Sequence, residues 1–594
     1  MRFAWLLGAV LFALFCFPYA VAQDDNNDNG DEYAPPTSSV RTFADWERWF
    51  YPGATSAGAW WETNRDTPFW WFPIWQSEPY AMQPLEWVYG FAQSYEAGYP
   101  SDYPPHAYGG GFSPQYRGMW GGGAPLNLGS GQPALPAGYW GLQQIVGAGA
   151  AQWGPGAGIA AQRMVPFRFS KKPQPPNASL FGGTYDAYGG WAALTAPTSC
   201  FAASGFGSDI WAAHYPDPRT EFYTATGAVN FELSKSGATL TQWMFLSSQH
   251  FSWQYYQSYW HRITNLFGVM LDVPTGKNGV FFFHPGWAEE ADTSLGMVQG
   301  ARGLFSRLGW RGLIAGRGDT ALVLFETYLD YSSKNVLFND GFGTVLRTDI
   351  TNYDLVLQKL VVYKPVVVRL GGRLHNTSWS GDVDSPYKSL FLPFAAVLLH
   401  LVPKKIDMSC EWSRTIGIPT LSQASGGSHE EHIQNITTSA TAHITPNLAA
   451  VISYTHQHLT DAIRWGINFG TQRADITVAQ LIYQQKGGFV SAFYTHASRR
   501  DWNATSLIFT PRDYGGFSVG FKGKKFLFAV NFVAHTNYFG VSKWRWHRTW
   551  FIFGIIFSER FQMLARVDLM FRQRGDRRLY LDDHLVYVGA VISF

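Results

Sequence analysis

Tyr587-Val588-Gly589-Ala590-Val591-Ile592-Ser593-Phe594 closes the chain. Successive side chains on an extended strand point to opposite faces. Phe594, Ile592, Ala590 and Val588 therefore share one side with Val586, and Ser593, Val591, Gly589 and Tyr587 share the other. The same rhythm recurs upstream. Phe561, Met563, Ala565, Val567, Leu569 and Phe571 oppose Gln562, Arg566, Asp568 and Arg572. Val366, Val368, Leu370 and Leu374 oppose Arg369, Gly371 and Arg373, and Ile436, Thr438, Ala440, Ala442 and Ile444 oppose Asn435, Thr437, Ser439 and Thr441. Ile463, Trp465, Ile467 and Phe469 alternate likewise with Arg464, Gly466, Asn468 and Gly470. Period-two segments of about ten residues mark strands that divide an apolar medium from a polar one.

Composition points the same way. The 594 residues are 17% aromatic and only 15% charged, with a net charge of +2. Soluble globular proteins carry about 25% charged residues, so a soluble surface of this size is poorly provided for. Spanning helices need 18 or more consecutive apolar residues. The longest candidate beyond the amino terminus, Leu390 to Val402, is short and contains Pro393 and His400. A membrane protein without spanning helices must satisfy its backbone between strands, which means a closed barrel. Cys200 and Cys410 pair or stay free; spacing does not decide.

At the amino terminus Arg2 is followed by an apolar core, Phe3 to Phe17, and by Ala20-Val21-Ala22 before Gln23. This is a cleavable secretory signal over residues 1–22. Lipidation at Cys16 is disfavoured, because Leu14-Phe15 replace the small residues expected before a lipidated Cys. Residues 23–42 form an acidic, Pro-bearing linker expected to be disordered. Residues 43–220 form an extension rich first in Trp (Trp46, Trp49, Trp60, Trp61, Trp70, Trp71, Trp75, Trp87) and then in Gly and Pro. It reads as a plug or as a periplasmic segment. The barrel is expected over 221–594.

The closing octapeptide, with its terminal Phe594, Tyr587 seven residues earlier, Gly589 between them and Ile592 near the end, resembles the β-signal of Gram-negative outer-membrane barrels. The resemblance implies porin-like architecture, an outer-membrane location and engagement by the barrel-assembly machinery. It reaches no single porin family. Short turns at Tyr363-Lys364-Pro365, Pro403-Lys404-Lys405, Thr445-Pro446-Asn447 and Lys522-Gly523-Lys524-Lys525 alternate with longer connections, the asymmetry of such barrels. With Phe594 at the periplasmic side, parity requires a further strand at Ala504 to Thr510. The count then comes to about 20 antiparallel strands, within 18–22.

On this reading Arg307, Arg311, Arg369, Arg373, Arg464, Lys522, Arg566 and Arg572 face the lumen, with Asp354, Asp407, Glu411 and Asp568. Fixed charge inside a pore selects solutes, and excess Arg favours anions. Alternatively these charges pair with one another across the wall. The leading function is a channel for small hydrophilic solutes, with mild anion preference and a plugged or gated lumen. Alternatives are a pore for secretion or polysaccharide export, a surface adhesin or structural barrel acting through its loops, and a barrel hydrolase.

For the hydrolase, Tyr454-Thr455-His456 resembles the start of the active strand of outer-membrane phospholipase A. The nucleophilic Ser expected two residues later is His458. His496-Ala497-Ser498 offers no acidic partner. No catalytic residue, metal site or cofactor is assigned; His456 and His458 share a strand face but read as polar interface. Expected partners are outer-membrane lipid, lipopolysaccharide, the assembly machinery and small solutes, and no nucleic acid.

Overall fold

A computed structural model describes residues 142–146, 160–164, 174–183 and 188–208, and then 218–593 apart from short connecting segments. The signal peptide, the acidic linker, the Trp-rich stretch, Ala504 to Thr510 and Phe594 lie outside the described residues.

Two short strands, β1 (Leu142–Val146) and β2 (Ala160–Met164), pair with each other. The wall then begins with β3 (Gln174–Gly183), β4 (Tyr188–Thr195), β5 (Ser199–Ser208), β6 (Pro218–Glu232), β7 (Thr239–Trp253) and β8 (Ser258–Pro274). It continues through β9 (Gly279–Ser294), β10 (Met297–Ala315), β11 (Leu322–Asn339), β12 (Val345–Tyr363), β13 (Val366–Gly381), β14 (Ser389–Val402), β15 (Ile406–Gly417), β16 (Glu431–Thr445) and β17 (Leu448–Thr460). A two-residue hairpin, β18 (Ile463–Arg464) and β19 (Ile467–Asn468), stands apart from the wall. The wall ends with β20 (Thr471–Gln485), β21 (Gly488–Arg500), β22 (Asp513–Lys522), β23 (Phe526–Thr536), β24 (Arg545–Ser558), β25 (Phe561–Gln573) and β26 (Leu579–Ser593). β26 pairs antiparallel with β3, and among the described residues the twenty-two wall strands form a closed barrel. Closure leaves no unpaired edge, as hydrocarbon requires.

Two expectations are corrected. The wall starts at Gln174, not near Glu221, because β3 to β5 are barrel strands. Their sequences, QPPNASLFGG, YGGWAALT and SCFAASGFGS, are dominated by small residues. Small side chains carry little polarity contrast, and Pro175-Pro176 sit where the register to β4 shifts, the position at which a sheet tolerates proline. Second, within the stretch expected as a wall strand, Ile463–Arg464 and Ile467–Asn468 pair with each other as β18 and β19, which removes Arg464 from the lumen wall. Its alternation is local, and only two residue pairs bond. β21 pairs directly with β22, and the strand expected at Ala504 to Thr510 falls outside the described residues. With the three strands gained at the start, the described wall has twenty-two strands, and the even count puts both its ends on one side of the membrane.

Alternation sets the faces. Leu304, Leu370, Phe391, Ile444, Ile452 and Phe557 are exposed on the outside, while their sequence neighbours turn inward. Val588 and Ile592 of β26 are exposed, as the closing octapeptide predicts. Cys410 is exposed on β15, ten strands around the wall from the β5 strand that carries Cys200. That separation in a ring of twenty-two places them nearly opposite, so they cannot pair.

Candidate functional site: a buried charge row on the inner wall

Strands β9 to β13 bring five ionisable residues into one cross-strand row. His284 is opposite Arg307, Arg307 opposite Asp330, Asp330 opposite Asp354, and Asp354 opposite His375. All five lie on the inward parity, and none is more than 1% exposed. Directly opposed residues have Cβ atoms about 4.5–5.5 Å apart, so register alone forces these groups together.

Two carboxylates side by side, Asp330 and Asp354, would repel. The neighbours offset this. Arg307 donates to Asp330 through Nε at 2.6 Å and Nη2 at 2.9 Å. Arg373 donates through Nη1 to Asp354 at 2.9 Å and lies 3.6 Å from Asp330. His375 Nδ1 meets Asp354 at 2.5 Å, while its Nε2 meets the Tyr387 hydroxyl at 3.1 Å. At the other end His284 Nε2 meets Asp272 at 2.8 Å. Two steps nearer the short turns, Arg311 donates from Nε to Glu326 at 2.6 Å, and Gln358 donates to the same carboxylate. Tyr328 lies between the two rows, with the Arg307 guanidinium 4.1 Å from its ring centroid.

Apolar groups cover both sides of this network. Towards the short turns, Val280, Phe282, Leu322, Leu324, Val356, Leu360, Val367 and Leu398 form a buried inward cluster. Towards the long loops, Val336, Ile350 and Trp379 pack with Val383 and with Ala424 of the β15–β16 connection. Tyr387 belongs to the β13–β14 connection, so one long loop reaches the charge row through His375. A second loop contact joins the His429 backbone N–H to Asn468 Oδ1 at 2.8 Å. This arc of inner wall is packed, not water-lined.

The sequence-predicted residues fall as follows. Arg307, Arg311, Arg369 and Arg373 are inward and buried, as are Asp407 and Glu411. Arg369 is the charge that acts on Glu411, and Asp407 is 2.7 Å from His400 Nδ1. Lys522 ends β22 at a short turn. Arg566, Asp568 and Arg572 occupy β25 on the parity of the buried Gln562 and Leu564. Tyr587, Gly589 and Ile592 lie on β26. The anion-selective excess of Arg does not hold on this arc, because Arg307, Arg311 and Arg373 are each committed to carboxylates. Sequence reasoning missed Asp330, Glu326, His284 and His375, since the signal that unites them is a register between distant strands. His456 and His458 take the outward parity of β17, alternating with the buried Thr455 and Gln457.

No family model matches the chain, and no curated protein matches it. Solved structures do. The fold is that of large outer-membrane receptor barrels. The siderophore receptor PiuA from Acinetobacter baumannii aligns with a TM-score of 0.62 at 9% identity, over 80% of this chain and 88% of that one. The ferripyoverdine receptor of the outer membrane of Pseudomonas aeruginosa aligns with a TM-score of 0.62 at 11% identity, over 77% and 76%. The copper transporter OprC aligns with a TM-score of 0.60 at 12% identity, over 77% and 86%. The shared fold, with its exposed apolar band, places the chain in the outer membrane.

Proposed function

We propose that the protein carries small solutes across the outer membrane through a barrel whose lumen is filled at rest, rather than acting as an open porin. The packed inner wall of β9 to β14 supports this, because fully buried apolar and charged side chains need material over them. Strand number agrees: barrels of sixteen to eighteen strands leave an aqueous channel, whereas twenty-two-stranded transporters hold a plug. β3 begins on the same side as the short turns, so the chain that precedes it is the segment whose removal tests the filling. Solutes of the class named for the similar structures, metal ions and their small chelates, are the first to test. Planar-bilayer conductance separates the readings. The intact chain should be nearly silent, and a variant lacking residues 23–173, verified as folded by its heat-modifiable gel migration, should conduct. Large steady conductance from the intact chain, or silence of the folded deletion, would overturn the proposal.

One observation favours a second reading, ester hydrolysis at the outer surface. Ser248 Oγ lies 3.2 Å from His261 Nε2, the contact through which an imidazole takes a hydroxyl proton. Ser248→Ala should abolish any acyl-ester hydrolysis by the purified protein; activity surviving in that variant excludes the pair as its source.

A further inference from the structure

The outward face of β15 to β20 changes character along its length. On β17, Ile452 and Tyr454 are exposed, and His456 and His458 follow on the same face. On β20 the exposed Leu481 gives way to Asp475 and then Arg473. Trp412, Tyr454 and Tyr494 stand near the changeover on β15, β17 and β21, the place where amphipathic rings mark a membrane boundary. Leu448 begins β17 at a short turn, and His458 lies ten residues beyond it. Ten residues at about 3.4 Å each, tilted about 40°, climb roughly 26 Å, the height of a barrel's apolar band at about 25 Å. The polar positions therefore stand at headgroup level on the long-loop side.

At that level Arg414, Gln434, His458 and Arg473 form one cross-strand row. Arg414 and Arg473 are exposed, and no carboxylate stands in the row. The nearest, Asp475, sits one step towards the hydrocarbon. It accepts from the Tyr454 hydroxyl at 2.7 Å and meets His456 Nδ1 at 2.7 Å. The opposite arc is built differently. Glu289, Arg302, Asn335 and Asp349 form the corresponding outward row, in register across β9 to β12. It holds two carboxylates to one guanidinium, with Asn335 donating to Asp349 at 2.8 Å.

We infer that the β15–β20 arc is a binding site for the phosphorylated headgroup of lipid A, the anionic lipid of the outer leaflet. Three strand spacings separate Arg414 from Arg473, about 14 Å, a span comparable with a disaccharide phosphorylated at both ends. Each guanidinium takes a phosphate in a forked, charge-assisted contact. Gln434 and His458 donate between them, and Trp412 and Tyr454 pack beside the first acyl carbons. The site is independent of what crosses the lumen.

The test uses full-length protein in detergent, titrated with purified lipid A and with dephosphorylated lipid A. Lipid A should bind at least about tenfold more tightly than its dephosphorylated form. The double variant Arg414→Gln/Arg473→Gln should lose about tenfold in affinity, while Arg302→Gln on the opposite arc stays unchanged. Equal binding of the two lipids, an unchanged double variant, or an equal loss in Arg302→Gln would each overturn the assignment. Phosphatidylglycerol binding as tightly as lipid A would also overturn it, by reducing the site to general charge attraction.

Discussion

Asp330 is the residue on which the inner charge row turns, and removing it gives the sharpest test of that row. Its carboxylate is fully buried, receives two hydrogen bonds from Arg307 and lies 3.6 Å from Arg373. Asp330→Ala removes both hydrogen bonds that Arg307, itself 1% exposed, donates to this carboxylate, and leaves a buried guanidinium without its nearest countercharge. Breaking a buried pair from one side costs about 3–5 kcal/mol. Asp330→Asn keeps the shape and one neutral acceptor, so its cost should be about 2 kcal/mol. Replacing both partners by apolar groups, Arg307→Met with Asp330→Leu, removes the stranded charge and should recover most of the loss. The stacking of Arg307 on Tyr328 at 4.1 Å is not recovered, which leaves a residual of about 1 kcal/mol. Urea unfolding of refolded protein, followed by Trp fluorescence, reads all four free energies. An Asp330→Ala midpoint equal to that of the parent, or a double variant no more stable than Asp330→Ala, would refute a coupled buried pair.

Other consequences follow from the packing of the wall. A methyl group at Gly303 would meet the Ser333 carbonyl oxygen at 2.0 Å and the Lys334 Cα at 2.6 Å; both are backbone and cannot step aside. Gly303→Ala should therefore fail to reach the folded, heat-modifiable form that the parent reaches. Leu370 is 57% exposed, about five residues from a short turn and thus near mid-bilayer. Leu370→Arg should cost about 2–4 kcal/mol, against about 0–1 for Ser378→Arg near the rim of the same strand; equal costs would contradict the depth assignment. Tyr387→Phe removes the hydroxyl that meets His375. It should speed proteolysis of the 382–388 connection without lowering the unfolding midpoint by more than about 1 kcal/mol.

Much of this architecture was legible from local pattern. Side chains alternate with period two whatever the strand pairs with, so Val366 to Leu374, Ile436 to Ile444 and Phe561 to Phe571 disclosed their faces directly. The same logic placed Arg307, Arg311, Arg369 and Arg373 inside. It failed where contrast vanished, in the Gly- and Ala-rich β3 to β5, and where alternation lacked a partner strand, at Ile463 to Gly470.

The sequence by itself determined a membrane barrel with a defined inside and outside, because composition excludes spanning helices and alternation needs no knowledge of neighbours. Only the tertiary structure decided where the ring closes and which charges meet. β26 finds β3 roughly four hundred residues away in the chain. His284, Arg307, Asp330, Asp354 and His375 become one row only through four successive registers. Register is a non-local quantity, fixed by the whole cooperative set of strand pairs, and no single strand carries it.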